Sequence, residues 1–344
     1  MRNAFVQRLL FLIVAIAGCS GNEAAPSPAQ VPPLGLDGLW TVSGSPAALL
    51  RLDTLQLADT GKQFPATILT TPSAGLETVS AMAFADDGTL WVVSQDDSLL
   101  LGFAPGTLAS SGARAASVVI SSNHGSLSGP TGLAFDRAGQ LWVANPGNGT
   151  LVRFQPEQLT ASGAPAPKVV LSGFGHPTGI AIDRVGGLWF TDKATNAVSR
   201  LTFGELATTG TPQPTVGIQS VNNSLSGPSG IAIDSAGTLW VANGQNATVV
   251  GYAFEQLRDS GFTVPRVTIT SSGPGSLFVP VGLAFDRTGS LWVININGEL
   301  EKFTHDQLAV SGAPVPAAHL RIVGRALCWG VAFWPKPESG LPLN

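Results

Sequence analysis

Small and large apolar residues alternate along short runs of this chain. Gly132-Leu133-Ala134-Phe135 puts bulk on one side of a strand and almost none on the other, because strand side chains point alternately to opposite faces. The same alternation recurs as Ala81-Met82-Ala83-Phe84, Gly179-Ile180-Ala181-Ile182, Gly230-Ile231-Ala232-Ile233, Gly282-Leu283-Ala284-Phe285 and Gly330-Val331-Ala332-Phe333. Sheets built from such strands can nest the large face of one on the small face of the next. The dipeptide Leu-Trp follows five of the chain's turns and also stands near its start, at Leu39, Leu90, Leu141, Leu188, Leu239 and Leu291, with intervals of 51, 51, 47, 51 and 52 residues. A fixed period of this length means one supersecondary unit, copied, whose apolar faces are buried only against neighbouring copies.

Each unit contains four strands. Asp136 to Gly139, Asp183 to Gly186, Asp234 to Gly237 and Asp286 to Gly289 are Asp-x-x-Gly turns joining first and second strands, with Gly free to take positive φ. The six repeat tryptophans read as packing residues. The first copy has Leu39-Trp40 without an alternating strand before it, and the last alternating strand, Gly330 to Phe333, has no Leu-Trp after it. These halves complete one sheet. The expectation is an all-β, six-bladed β-propeller of four-stranded blades, closed when the C-terminal strand joins the N-terminal blade and so removes a free edge. Between third and fourth strands lie segments such as Glu157 to Pro165, Glu205 to Gly210, Glu255 to Gly261 and Asp306 to Gly312. Each reads as one helical turn on the face opposite the expected ligand face, with an inward Leu and a Gly in a left-handed C-cap.

The termini change the picture. Arg2 and Arg8 precede the apolar run Leu9 to Ala17, too short to span a bilayer and laid out as an export signal. Ile16-Ala17-Gly18-Cys19 resembles the bacterial lipobox, which implies lipidation of Cys19; Ser20 after it implies sorting to the outer membrane. Residues 1–18 are thus expected to be a lipoprotein signal peptide, 19–33 a disordered Pro-, Ala- and Ser-rich tether, 34–336 the propeller and 337–344 a tail. Only Cys328 remains besides Cys19, so no intramolecular disulfide is available and stability must come from packing. Charged residues make up 12% of the chain, and the formal net charge is −4, which argues against nucleic acid as a partner.

Pro228 to Asn243, Pro-x-Gly-Ile-Ala-Ile-Asp-x-x-Gly-x-Leu-Trp-Val-Ala-Asn, resembles the repeat of NHL, gluconolactonase-like and virginiamycin B lyase-like propellers, and the resemblance extends over residues 36 to 334. In the gluconolactonase-like family it implies a divalent metal at the channel mouth, held partly by the residue before the first-strand Gly. Here those positions are Ser80, Thr131, Thr178, Ser229, Val281 and Trp329, a poor cage for a hard dication. The lyase-like family pairs a His at this position with a Glu fourteen residues later. This chain has Thr131 with Asn145, Thr178 with Asp192, Ser229 with Asn243 and Val281 with Asn295, so that acid/base pair is missing.

The reading that follows is a lipid-anchored propeller of the bacterial cell envelope. It binds a protein, glycan or small molecule without chemistry, as a monomer, with no cofactor, no metal and no catalytic residue expected. Its expected ligand site is an upper funnel formed by Thr131, Asn145, His176, Thr178, Asp192, Ser229, Asn243 and Asn295, with Arg325 as an anion contact and Trp329 plugging the channel; the other reading of Asn145, Asp192, Asn243 and Asn295 is that they cap backbone groups at the strand ends. The alternative is a lactonase- or esterase-type hydrolase with a rearranged metal site of Asp192, His176 and His124.

Overall fold

The computed structural model describes residues 37–72, 75–323 and 330–334. It contains six sheets, each with four antiparallel strands, arranged as a six-bladed propeller. Blade three shows the plan: inner strand Gly132–Phe135, second strand Leu141–Asn145, third strand Thr150–Phe154 and outer strand Val169–Leu171. The inner strands of the other complete blades are Val79–Phe84, Pro177–Ile182, Pro228–Ile233 and Pro280–Phe285. Blade one takes its inner strand, Val331–Trp334, from the C-terminal end, paired antiparallel with Gly38–Gly44. The closure expected from the two half-repeats is the one observed.

No single core exists. Six apolar clusters each span two adjacent blades, for example Trp91, Val93 and Leu100 of blade two with Leu133, Leu141 and Val152 of blade three. The alternation of large and small residues explains this. A Cβ at Gly132 would lie 2.0 Å from the Thr178 carbonyl oxygen, and one at Gly179 would lie 2.2 Å from that of Ser229, so the inner strands approach more closely than any side chain permits. The six repeat tryptophans are all at most 3% exposed. In blades three to six the indole N–H donates to the turn Asp, over 3.3 Å to Asp136, 3.1 Å to Asp183, 2.9 Å to Asp234 and 3.0 Å to Asp286. The other carboxylate oxygen accepts backbone N–H groups of the turn, as Asp136 Oδ1 does from Ala138 and Gln140. The turn aspartates are therefore structural, and Gly139, Gly186, Gly237 and Gly289 take positive φ as the turn requires.

The repeated helical turns differ from expectation at their C-terminal ends. Leu108, Leu206, Leu257 and Leu308 do pack inward. The following Gly takes positive φ only at Gly61, Gly112 and Gly261, and in every blade it pairs in parallel with the outer strand of the preceding blade. Gly61 pairs with Leu320, Gly112 with Leu69, Gly163 with Ile120, Gly210 with Leu171, Gly261 with Ile218 and Gly312 with Ile269. In five of the six the preceding Ser or Thr hydroxyl also accepts a backbone N–H from that strand, as Ser162 does from Val119 at 3.0 Å. The turns are thus latches between blades, and blade one holds blade six by the same device.

Candidate functional site

The first residues of the inner strands converge on the upper mouth of the channel, around a cavity of about 470 Å³. Ser80, Thr131, Thr178, Ser229 and Val281 line it, as their spacing predicts, and His176 joins them. The hydroxyls are already engaged. Ser80 donates to Pro130 O at 2.9 Å, Thr131 to Thr178 O at 3.4 Å, Thr178 to Pro228 O at 3.1 Å and Ser229 to Pro280 O at 3.2 Å. Each hydroxyl ties its blade to the next around the channel.

The strand-end residues do not face the funnel as a ligand site would require; they take the capping role, the other reading of their position. Asn145, Asn243 and Asn295 are 0% exposed and Asp192 is 5% exposed, and none of them lines the cavity. Asn145 accepts from Ser128 N and donates to Ser126 O and Thr150 Oγ1; Asn243 repeats the pattern with Ser226, Ser224 and Thr248. The Asp192 carboxylate accepts from the backbone N–H groups of Gly175, His176, Ala194 and Thr195. These side chains organise the loops above the strands, because a short polar side chain at a strand end satisfies loop backbone groups that no ladder reaches. Asp192 is therefore saturated, and His124 is exposed beside Asn123 and does not line the cavity. The Asp192, His176 and His124 metal site is not assembled. Arg325, Trp329, Cys328 and Cys19 lie outside the described residues.

The polar groups left around the mouth are His176, Lys193, Gln95 and Gln245, over walls that include Val279, Val281 and Ile296. Among the described lining residues there is no carboxylate. Gln95, Lys193 and Ile296 each follow directly on the strand-end residue of their blade. The repeat alignment shows that position, but its varied residue types gave no reason to single it out. At the opposite ends of the inner strands a wider cavity of about 970 Å³ is ringed by Phe135, Ile182, Ile233 and Phe285, with Arg137, Arg184 and Arg287 at its edge.

A second gathering of polar side chains lies away from both mouths, in blade six. Glu299 and Glu301 on the third strand and His319 on the outer strand bring one ligand-type atom each to within 4.8 Å of one another. Glu301 is fully buried, and burial, with the Glu299 charge adding to it, pushes its carboxyl up to about 9. Asn295 donates to Glu301 Oε2 at 2.6 Å. Among the described residues this is the one group of three His, Cys, Asp or Glu side chains so disposed. Two Glu at alternate positions of one strand and a single His on the next carry no motif that the sequence displays.

No protein-family model and no curated protein sequence matches the chain. Among solved structures it is similar to a Bacteroides caccae protein of unknown function, with 12% identity and a TM-score of 0.60 over 86% of this chain and 98% of that one. It is also similar to a chain of a nidogen/laminin complex, with 13% identity and a TM-score of 0.58 over 85% and 96%. A third is a catalytically inactive virginiamycin B lyase from Staphylococcus aureus with quinupristin, at 15% identity and a TM-score of 0.53 over 80% and 85%. Similarity at this level establishes the six-bladed fold, which hosts unrelated activities.

Proposed function

We propose that the chain is a non-catalytic ligand-binding propeller of the bacterial envelope, lipid-anchored at Cys19 and facing its ligand with the upper mouth. The observation that carries the binding role is the lining of that mouth. Its hydroxyls are bonded to neighbouring strands, no carboxylate stands among its described residues, and the free polar groups are donors or amides over apolar walls. No carboxylate base stands among the described lining residues, and a concave, largely apolar pocket with a few convergent polar groups suits a small molecule. Lys193 and His176 select one with an apolar body and acidic or carbonyl groups. The anchor is supported by the apolar run ending at Ile16-Ala17-Gly18-Cys19. One acyl chain gives only marginal binding, so a multiply acylated Cys19 is what would hold the chain on the outer membrane.

A thermal-shift screen of acidic amphiphiles against the purified protein tests the ligand class. Hits are expected to raise the melting temperature of the wild type and to bind at least about tenfold more weakly to Lys193→Glu, a loss of about 1.4 kcal/mol. Turnover of a lactone or ester by the wild type, abolished in His176→Ala, would overturn the non-catalytic reading. For the anchor, Cys19→Ser is expected to move the protein from the membrane pellet to the soluble fraction; unchanged pelleting would remove lipid from the account.

A further inference from the structure

At the centre of each blade, a third-strand residue faces a partner on the outer strand. In blade one the pair is Leu50 and Ile68, in blade two Leu101 and Val119, in blade three Val152 and Val170, in blade four Ser199 and Gly217, and in blade five Val250 and Thr268. In blade six the same pair is Glu301 and His319. The other five blades carry uncharged residues there, whereas blade six places a carboxylate against an imidazole at a position where Glu301 is fully buried. Burying such groups is costly unless every polar atom finds a partner.

Within the chain the two groups meet in a long contact, which is an ion pair when the imidazole is protonated. Glu301 Oε1 and His319 Nδ1 are both buried without a hydrogen bond, although they stand 3.5 Å apart. Two ligands of one zinc ion, at about 2.1 Å each and near the tetrahedral angle, lie about 3.4 Å apart. Glu299, two residues along the same strand and hence on the same face, adds a third oxygen within reach. The remaining oxygen of Glu301 is fixed by Asn295, and Asn297 donates to Glu299 Oε2 at 2.8 Å, which orients both carboxylates from outside.

We propose that Glu299, Glu301 and His319 form a binding site for one Zn²⁺ ion, which joins the third and outer strands of blade six and leaves a fourth vertex open. One imidazole nitrogen and two carboxylate oxygens suit a borderline transition dication, whereas calcium and magnesium favour all-oxygen sets of higher coordination. The site is independent of the channel mouth, so it stands or falls apart from the ligand-binding role.

The test is Zn²⁺ titration of the chelator-stripped chain, purified without a histidine tag. The expected result is one Zn²⁺ per chain, bound at least about a hundredfold more weakly by His319→Ala. The double variant Glu301→Val with His319→Val restores the pair found in blade three and is expected to fold and to bind none. Co²⁺ added to the wild type gives a readout that needs no variant: intense visible bands of a four-coordinate ion are expected. Failure of the wild type to bind Zn²⁺, undiminished binding by the double variant, or only the weak bands of six-coordinate Co²⁺ would overturn the site.

Discussion

Glu301 makes the stability of the metal-free protein depend on pH in an unusual direction. Its folded carboxyl titrates at about 9, against 4.5 for the ordinary group, with desolvation the main cause and the charge of Glu299 second. Between those values the folded chain holds a proton that the unfolded chain has lost. Stability is therefore full below the unfolded value and declines as pH rises towards the folded one, by up to about 1.4 kcal/mol per pH unit. His319 on the facing strand is the other titratable group in contact. In chelator, Glu301→Gln is expected to flatten this slope between about pH 5 and about pH 8, read as urea midpoints. A wild type with no slope of its own would mean that Glu301 is ionised and paired. At the same scale, Gly132→Ala is expected to cost about 3 kcal/mol, because the added carbon meets a backbone oxygen that cannot move aside. That glycine was legible as the small member of an alternating pair. So were Thr131, Thr178, Ser229 and His176 as channel groups, since strand period fixes which end of an inner strand they occupy. For Asn145 and Asp192 the sequence leaves funnel contact and strand-end capping both open, because the choice depends on which loop N–H groups come to rest beside them.

The element that the sequence displays most openly, apart from the strands, is the helical turn with its Ser-Gly or Thr-Gly end. Its structural role is legible in the repetition, but its partner is not, because that partner lies far off in the chain. Val119 N is 43 residues upstream of the Ser162 hydroxyl that accepts from it, in another blade, and such pairing leaves no local signature. Removing single latch hydroxyls, as in Ser260→Ala and Ser311→Ala, is expected to cost about 0.5 to 1 kcal/mol each, since the freed N–H groups are near solvent. The two act on different blades, so their effects should add in denaturant titrations. Leu257 is a firmer part of the same element. It packs with Val250 and Tyr252 between blades four and five, so Leu257→Asp is expected to destabilise by several times the hydroxyl loss. A latch variant as stable as the wild type would show that the parallel Gly bridges suffice alone.

For the whole molecule, the decisive property is that the ring is closed twice by different segments. The inner closure is Val331–Trp334 in blade one, where Phe333 packs 6.3 Å from Trp292 and Trp334 lies 5.0 Å from Phe84, so the last strand touches both neighbouring blades. The outer closure is Gly61–Gln63 pairing in parallel with Ala318–Ile322 of blade six. Both close the same loop of chain. Once one is made, the ends are already near each other and the second forms with little further loss of chain entropy. It follows that the two should support each other beyond the sum of their contacts. Deleting residues 330–344 leaves blade one with an unpaired Gly38–Gly44 edge and is expected to lower the melting temperature by more than about 10 °C. Gly61→Pro disrupts the outer closure alone, because Gly61 has φ +109° and proline is fixed near −65°. Combined, the two changes are expected to cost at least about 1 kcal/mol more than their separate effects. Simple additivity in calorimetry would mean that the closures act as independent blade contacts. A surplus would show that the six interfaces are held as one cooperative ring, with the channel mouth kept in shape by segments at both ends of the propeller.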